Sequence, residues 1–168
     1  MNRIRSKHLF LLLILIIIDQ VTKLMVNWNL SIGDEIPLIK NFFSLVHVRN
    51  RGAAWGILAD RTIGIIFLSI ISFVATCIFF YVYSKAQKDV ARVTVIVLIA
   101  GTVGNLIDRL RLGEVIDFIA LQFGSYQYPA FNFADSCIVL AVIYLLYIVL
   151  RCKNIDDLFD FAGAADGQ

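Results

Sequence analysis

Apolar residues gather into four long runs separated by mixed segments. The first is unbroken from Leu9 to Ile18 and continues through DQVTKLMVNW, which predicts a helix over about residues 8–27. Further runs cover about 62–83, 92–110 and 131–150. Each approaches the roughly 20 residues that a helix needs to cross a hydrocarbon core of about 30 Å. The pattern predicts an all-α membrane protein with four transmembrane helices in a single domain, 1–168, and both termini on one side. The basic head before Leu9 has the form of the first part of a signal peptide, but no small-residue cleavage site follows, so the helix is expected to be retained.

The connections differ from the runs. In the one over about 29–61, FFSLVHVRN has the β-branched and aromatic content of a strand or two, which predicts a small extracytoplasmic β element. RNRGAAWGIL follows, with a turn at Arg51 and Gly52 and with Trp55 suited to the membrane interface. The connection over about 111–130 mixes charge with aromatics, as expected of a loop segment lying along the headgroups. The tail from Asn154, NIDDLFDFAGAADGQ, reads as a frayed cytoplasmic end.

Composition agrees with a membrane chain: 60% of residues are hydrophobic, 17% are charged, and the mean hydropathy is +0.81. The net charge of +2 and the scattered basic residues give no footprint for a nucleic acid. Arg3, Arg5, Lys7, Lys85, Lys88, Arg92, Arg151 and Lys153 fall on the side of the termini; Lys40, Arg49, Arg51, Arg61, Arg109 and Arg111 are spread over the longer outer connections. The bias places both termini in the cytoplasm. Cys77, Cys137 and Cys152 have neither disulfide-framework nor zinc spacing, and His8 and His47 belong to no ligand cluster, so no metal and no cofactor is expected.

Polar residues inside the spans are unevenly placed. Asp19 and Lys23 in the first helix, Asn105, Asp108 and Arg109 in the third, and Asn132 and Asp135 in the fourth all fall toward the outer end. Each group has a structural reading. Asp19 and Lys23, at i and i+4, are a self-neutralising pair. Asn105, Asp108 and Arg109 share a face and can form an interhelical network, with Gly101 and Gly104 permitting close approach. Asn132 or Asp135 can cap the fourth helix. Another acid, Asp117 in GEVIDFIA, changes the balance. It follows the third helix as Asp135 opens the fourth, so antiparallel neighbours bring both to one depth, flanked by Ile116, Phe118, Phe133 and Ala134. Desolvation disfavours double ionisation, and a pair sharing one proton is expected. Such a pair can take a proton from an attacking water and donate one to a peptide carbonyl oxygen. Asn50, Asn105, Arg109 and Asn132 offer donors around it.

Other classes compete. A proton- or cation-coupled transporter should spread its acids through the bilayer, whereas these gather at one end. A Ser-Lys peptidase requires Ser125 or Ser136 to reach Lys23, which already has Asp19. A purely structural scaffold gives Asp117 and Asp135 no reason to be apposed.

Four motifs in order, DQVTK (19–23), VRNRGAAWGI (48–57), GNLIDRLRLGEVIDFI (104–119) and FNFADS (131–136), closely resemble the lipoprotein signal peptidase family, the bacterial signal peptidase II. The resemblance spans about residues 5 to 150. It implies an aspartic endopeptidase of the bacterial plasma (inner) membrane with its site near the outer leaflet. The implied substrates are prolipoproteins, cut before a cysteine that carries a diacylglyceryl group; membrane lipid is the surroundings, and no obligate protein partner is implied. Carried over by residue, Asp117 and Asp135 are catalytic. Asn50, Gly52, Asn105, Arg109 and Asn132 line or support the site, while Asp19 and Lys23 are structural. RGAAWG, with glycines flanking its aromatic residue, is a candidate lid.

Overall fold

A computed structural model of the chain describes residues 5–52 and 62–160. The expected lid and interfacial Trp55 therefore fall outside the described residues beyond Gly52, as does the tail beyond Asp160. Four long helices are present: α1 (Ser6–Asn29), α2 (Thr62–Lys85), α3 (Asp89–Leu112) and α4 (Phe133–Arg151). All are long and apolar enough to cross a membrane, α2 from Gly64 onward. They begin and end within a few residues of the bounds that hydropathy predicts.

Burial shows how the helices are arranged. Within its most apolar window α3 is 72% buried, against 22% for α1, 6% for α2 and 17% for α4. The third helix is the axis, and the other three pack on it. Their outer faces leave Phe10, Ile17, Phe67, Ile70, Leu140 and Ile143 exposed, the pattern of helices whose solvent is lipid. Close approach to α3 depends on its glycines. A Cβ at Gly101 would lie 2.4 Å from the Ala134 carbonyl oxygen of α4, and one at Gly104 would lie 2.6 Å from Asp19 Oδ2 of α1. Both gaps are too short for any side chain, so the close approach expected at these glycines is present.

Between the helices, β1 (Glu35–Ile39), β2 (Phe43–Asn50), β3 (Val115–Phe123) and β4 (Tyr126–Phe131) form one antiparallel sheet in the order β1-β2-β3-β4. The connection expected to lie along the headgroups as a loop is instead the β3–β4 hairpin, turned at Gly124 with φ +62. The reason is visible in register: VIDFIALQF pairs with the β2 strand, Val48 opposite Asp117 and Asn50 opposite Val115. Those partners lie more than 60 positions apart, beyond the reach of a local pattern. α3 stops at Gly113, which takes the left-handed conformation and donates its N–H to Arg109 O. Only Glu114 then separates Gly113 from Val115, the first paired residue of β3, and this fixes the strand close to the end of α3.

At the opposite end, Arg5 and Lys7 reach Asp89 at 3.3 and 2.6 Å, and buried His8 meets the Tyr83 hydroxyl at 2.7 Å through Nδ1. The tail differs from the frayed end expected. Residues Ile155–Asp157 form a short 3-10 turn, and Leu158 and Phe159 are buried beside Tyr83 and Ala86. An isolated bridge joins Ala86 to Phe159. The acidic neighbours hid two large apolar residues whose burial holds the segment down.

Candidate active site

The converging polar residues fall into two linked groups. In the first, Lys23 from α1 meets Asp19 Oδ2 at 2.9 Å and Asp108 Oδ2 of α3 at 3.0 Å. All three side chains are essentially without solvent exposure. Gln20 adds donors to Asp19 and Asp108, at 3.1 Å each. The remaining Asp19 oxygen accepts from Ala134 N at 2.9 Å, and Asp108 Oδ2 also takes the N–H of Ile116 at 3.4 Å. A buried carboxylate without a cation is costly; here two share one ammonium, and Arg111 lies 3.8 Å from the other Asp108 oxygen.

The second group contains Asp117 on β3 and Asp135 in the first turn of α4. Asp117 accepts from Asn50 Nδ2 at 2.9 Å and from Asn132 Nδ2 at 2.7 Å. Asp135 accepts from Asn105 Nδ2 at 2.7 Å and from Asn132 N at 3.1 Å. Asn132 is also the N-cap of α4, its oxygen receiving Asp135 N at 2.9 Å in a reciprocal capping box. The capping role expected for one of these residues is thus shared by both, without withdrawing either from the acid pair. Among the described residues, neither acid has an ion-pair partner.

Which atom each amide presents is fixed by its other contacts. The Asn132 oxygen is claimed by a backbone N–H. The Asn50 oxygen takes Gly52 N at 3.0 Å, and the Asn105 oxygen takes the Lys23 ammonium at 3.0 Å and Asn132 Nδ2 at 3.1 Å. Backbone amides and ammonium groups can only donate. All three asparagines therefore turn their NH2 groups toward the carboxylates. Burial, reinforced by the charge of Asp135, pushes the Asp117 carboxyl up to about 7, even though Asn50 and Asn132 donate to it and Lys23 lies near. A neutral carboxylic acid near physiological pH is the state that can donate a proton.

Both acids line a cavity of about 220 Å³ with Asn50, Gly52, Asn105 and Arg109. Tyr128 to Phe131 close one side of it. Arg109 also donates to Ser72 Oγ of α2 at 3.3 Å, so it spans from the cavity to the least buried helix. A second, more apolar cavity of about 430 Å³ adjoins the first, sharing Tyr128, Phe131 and Asp135 and continuing along Val139 and Leu140 of α4. Among the described residues, no group of three or more His, Cys, Asp or Glu side chains is placed to hold a metal ion.

This geometry has relatives. Residues 11–151 match the family model described as Signal peptidase (SPase) II. The chain belongs to the signal peptidase II family. The lipoprotein signal peptidase of Staphylococcus carnosus is 39% identical over 145 residues, covering 86% of this chain and 91% of that protein. The lipoprotein signal peptidase of Syntrophus aciditrophicus is 38% identical over 154 residues, covering 87% and 96%. A bacterial membrane enzyme solved by the in meso method at 2.3 Å resolution superposes with a TM-score of 0.71 at 34% identity, over 87% of this chain and 88% of that one. Signal peptidase II is an aspartic peptidase family, so the chain is a multi-pass membrane peptidase and not a transporter.

The polar residues singled out by the sequence do not all end in the same place. Asp19, Lys23, Asn50, Asn105, Asp108, Asp117, Asn132 and Asp135 form one hydrogen-bonded system, with Gly52 at its edge. Asn105, Asp108 and Arg109, which the sequence puts on one face, are divided: Asp108 turns to α1, Asn105 bridges, and Arg109 faces the cavity and α2. His47, Ser125 and Ser136 carry no expected role. Ser136 donates to Asn132 O at 3.0 Å, and buried His47 faces Leu30 O and Arg49. Sequence reasoning missed the cavity wall at Tyr128, Pro129, Ala130 and Phe131. The alternation of YQYPAF was the available signal, and it became legible only as part of a hairpin.

Proposed function

We propose that this peptidase removes the signal peptide from diacylglyceryl-modified prolipoproteins, cutting before the lipidated cysteine, with Asp117 and Asp135 as its catalytic pair. The observation that carries the reading is that these are the acids held by amide and backbone donors alone at one cavity, while the neighbouring acids have a lysine. A carboxyl without an ion pair of its own keeps a proton available for transfer.

In the reaction, the Asp135 carboxylate accepts a proton from a water held between the acids as its oxygen bonds to the scissile carbonyl carbon. Asp117 gives its proton to the carbonyl oxygen, which receives the π electrons. Collapse of the tetrahedral intermediate breaks the C–N bond as the leaving nitrogen takes a proton from the pair. Asn50, Asn105 and Asn132 keep the carboxyls oriented, and Arg109 is suited to hold the substrate main chain. The reading extends to the whole chain as a single domain in the bacterial plasma membrane, with termini in the cytoplasm and site near the outer leaflet. A substrate anchored by its own apolar helix and acyl chains then reaches the site by diffusing in the plane, through the apolar cavity along α4.

Replacement of Asp117 and Asp135 singly by Asn, in membrane-inserted protein assayed on a lipid-modified precursor, is the test. Each change is expected to lower kcat by at least about 10²–10⁴-fold. Near-normal cleavage by either variant overturns the assignment.

A further inference from the structure

Neutralisation does not account for everything Lys23 does. An ammonium has three N–H donors and no acceptor. Lys23, with no exposed surface, directs them at Asp19 Oδ2 at 2.9 Å, Asp108 Oδ2 at 3.0 Å and Asn105 Oδ1 at 3.0 Å. Two of these contacts balance charge. The third decides an orientation: because an ammonium cannot accept, the Asn105 atom facing it must be oxygen, and the NH2 group is left for Asp135 at 2.7 Å. A flipped Asn105 would press an oxygen against the Asp135 carboxylate.

The two acids bound to Lys23 end in equally specific places. Asp19 Oδ1 accepts the N–H of Ala134, the residue immediately before Asp135. Asp108 Oδ2 accepts the N–H of Ile116, the residue immediately before Asp117. Three arms from one hub therefore reach Asp135 through an amide, the backbone beside Asp135, and the backbone beside Asp117. Gly104 makes this possible, since a Cβ there would occupy the space of Asp19 Oδ2.

We propose that the Asp19–Lys23–Asp108 cluster is a positioning device for the acid pair, with Lys23 as its hub. It touches neither Asp117 nor Asp135 through its own side chains. Its work is to set which end of Asn105 faces Asp135 and to hold β3 and the start of α4 in relation to α1 and α3. The inference rests on the reading of Asp117 and Asp135 as the reacting acids. Asn132 Nδ2 also holds the Asn105 oxygen, at 3.1 Å, so loss of Lys23 weakens the orientation without abolishing it.

Lys23→Met alone leaves Asp19 without a cation and Asp108 with only Arg111 at 3.8 Å, and is a poor probe because it can unfold the protein. The balanced double variant Asp19→Asn with Lys23→Met removes one charge of each sign and keeps an oxygen for Ala134 N. Asp108→Asn is a milder second probe that keeps Lys23 and removes one of its anions. In detergent-purified protein of verified fold, the double variant is expected to lose about 10- to 100-fold in kcat on a lipid-modified precursor, with KM changed by less than about twofold. The acidic limb of its kcat–pH profile should move to higher pH, since a carboxylate that loses a donor is harder to ionise; Asp108→Asn, which keeps the Lys23 contact to Asn105 and removes a negative charge, should move that limb slightly to lower pH. A merely structural cluster predicts a lower Tm with kcat per folded molecule and the pH profile unchanged, and that result, in either folded variant, overturns the proposal. Parallel Asp117→Asn and Asp135→Asn enzymes keep the two failures apart: if they cleave normally, the assignment of the acids is wrong, whatever the Lys23 variants do.

Discussion

Two sets of carboxylates lie one amide apart and are treated in opposite ways. Asp19 and Asp108 share the Lys23 ammonium in a sealed interior between α1 and α3. Asp117 and Asp135 receive amide and backbone donors and face a cavity. A neighbouring cation settles the charge state of a carboxylate, which then serves as a fixed part of the framework. Neutral donors orient a carboxyl without settling its proton. The molecule thus uses one residue type for two purposes, and the partner, not the acid, makes the distinction.

The contrast predicts where each set fails when altered. Removing the cation from the closed set has the largest expected effect on folding: Lys23→Met should destabilise the protein by about 3–5 kcal/mol, measured as the loss of Tm or denaturant resistance in detergent. Stability within about 1 kcal/mol of the parent would show that the closed set does not depend on its cation.

The open set predicts a pH signature of intermediate size. With Asp117 raised to about 7 in the fold, the folded protein holds a proton that the unfolded chain releases near its ordinary carboxyl range. The stability this contributes is fully present below the unfolded pKa and is lost as pH rises toward 7, at up to about 1.4 kcal/mol per pH unit. The parent should therefore lose stability relative to Asp117→Asn between about pH 4 and 7, then run parallel to it above that. Matched thermal scans of the two proteins check this, and parallel curves throughout would remove the shared-proton account.

The smallest change tests the seam between the sets. Gly101→Ala places a methyl against the Ala134 carbonyl, next to the backbone N–H held by Asp19, and should cost about 1–3 kcal/mol by overpacking. Because the strain falls at the start of α4, turnover should drop more than Tm alone explains. A Tm loss with normal turnover would mean that α4 shifts as a unit and carries Asp135 with it.

Much of this contrast is legible in the order of residues along the chain. The depth of Asp19, Lys23, Asn105, Asp108, Asn132 and Asp135 follows from counting along four apolar runs, because a helix rises by a constant amount per residue. The close approach at Gly101 and Gly104 is legible too, since small residues at that spacing have few other uses in a span. The division of labour is not. Asp19 and Lys23 look self-sufficient at i and i+4, and nothing local shows that Asp108 joins them or that Lys23 keeps a donor for Asn105. Asn105 and Arg109 sit one turn apart, yet one serves the acid pair and the other reaches α2.

The sequence by itself determined four spans, the end at which charge collects, and two acids at one depth, because hydropathy, helical rise and chain length are properties of a segment and its immediate neighbours. Tertiary structure decided which helix is the axis, that residues 115–131 form a hairpin on β2, and that Leu158 and Phe159 are pulled inward. It also decided which oxygen and which nitrogen of three asparagines face the acids. These depend on register between distant segments and on competition for a few donors, and such contacts exist only once every element is in place.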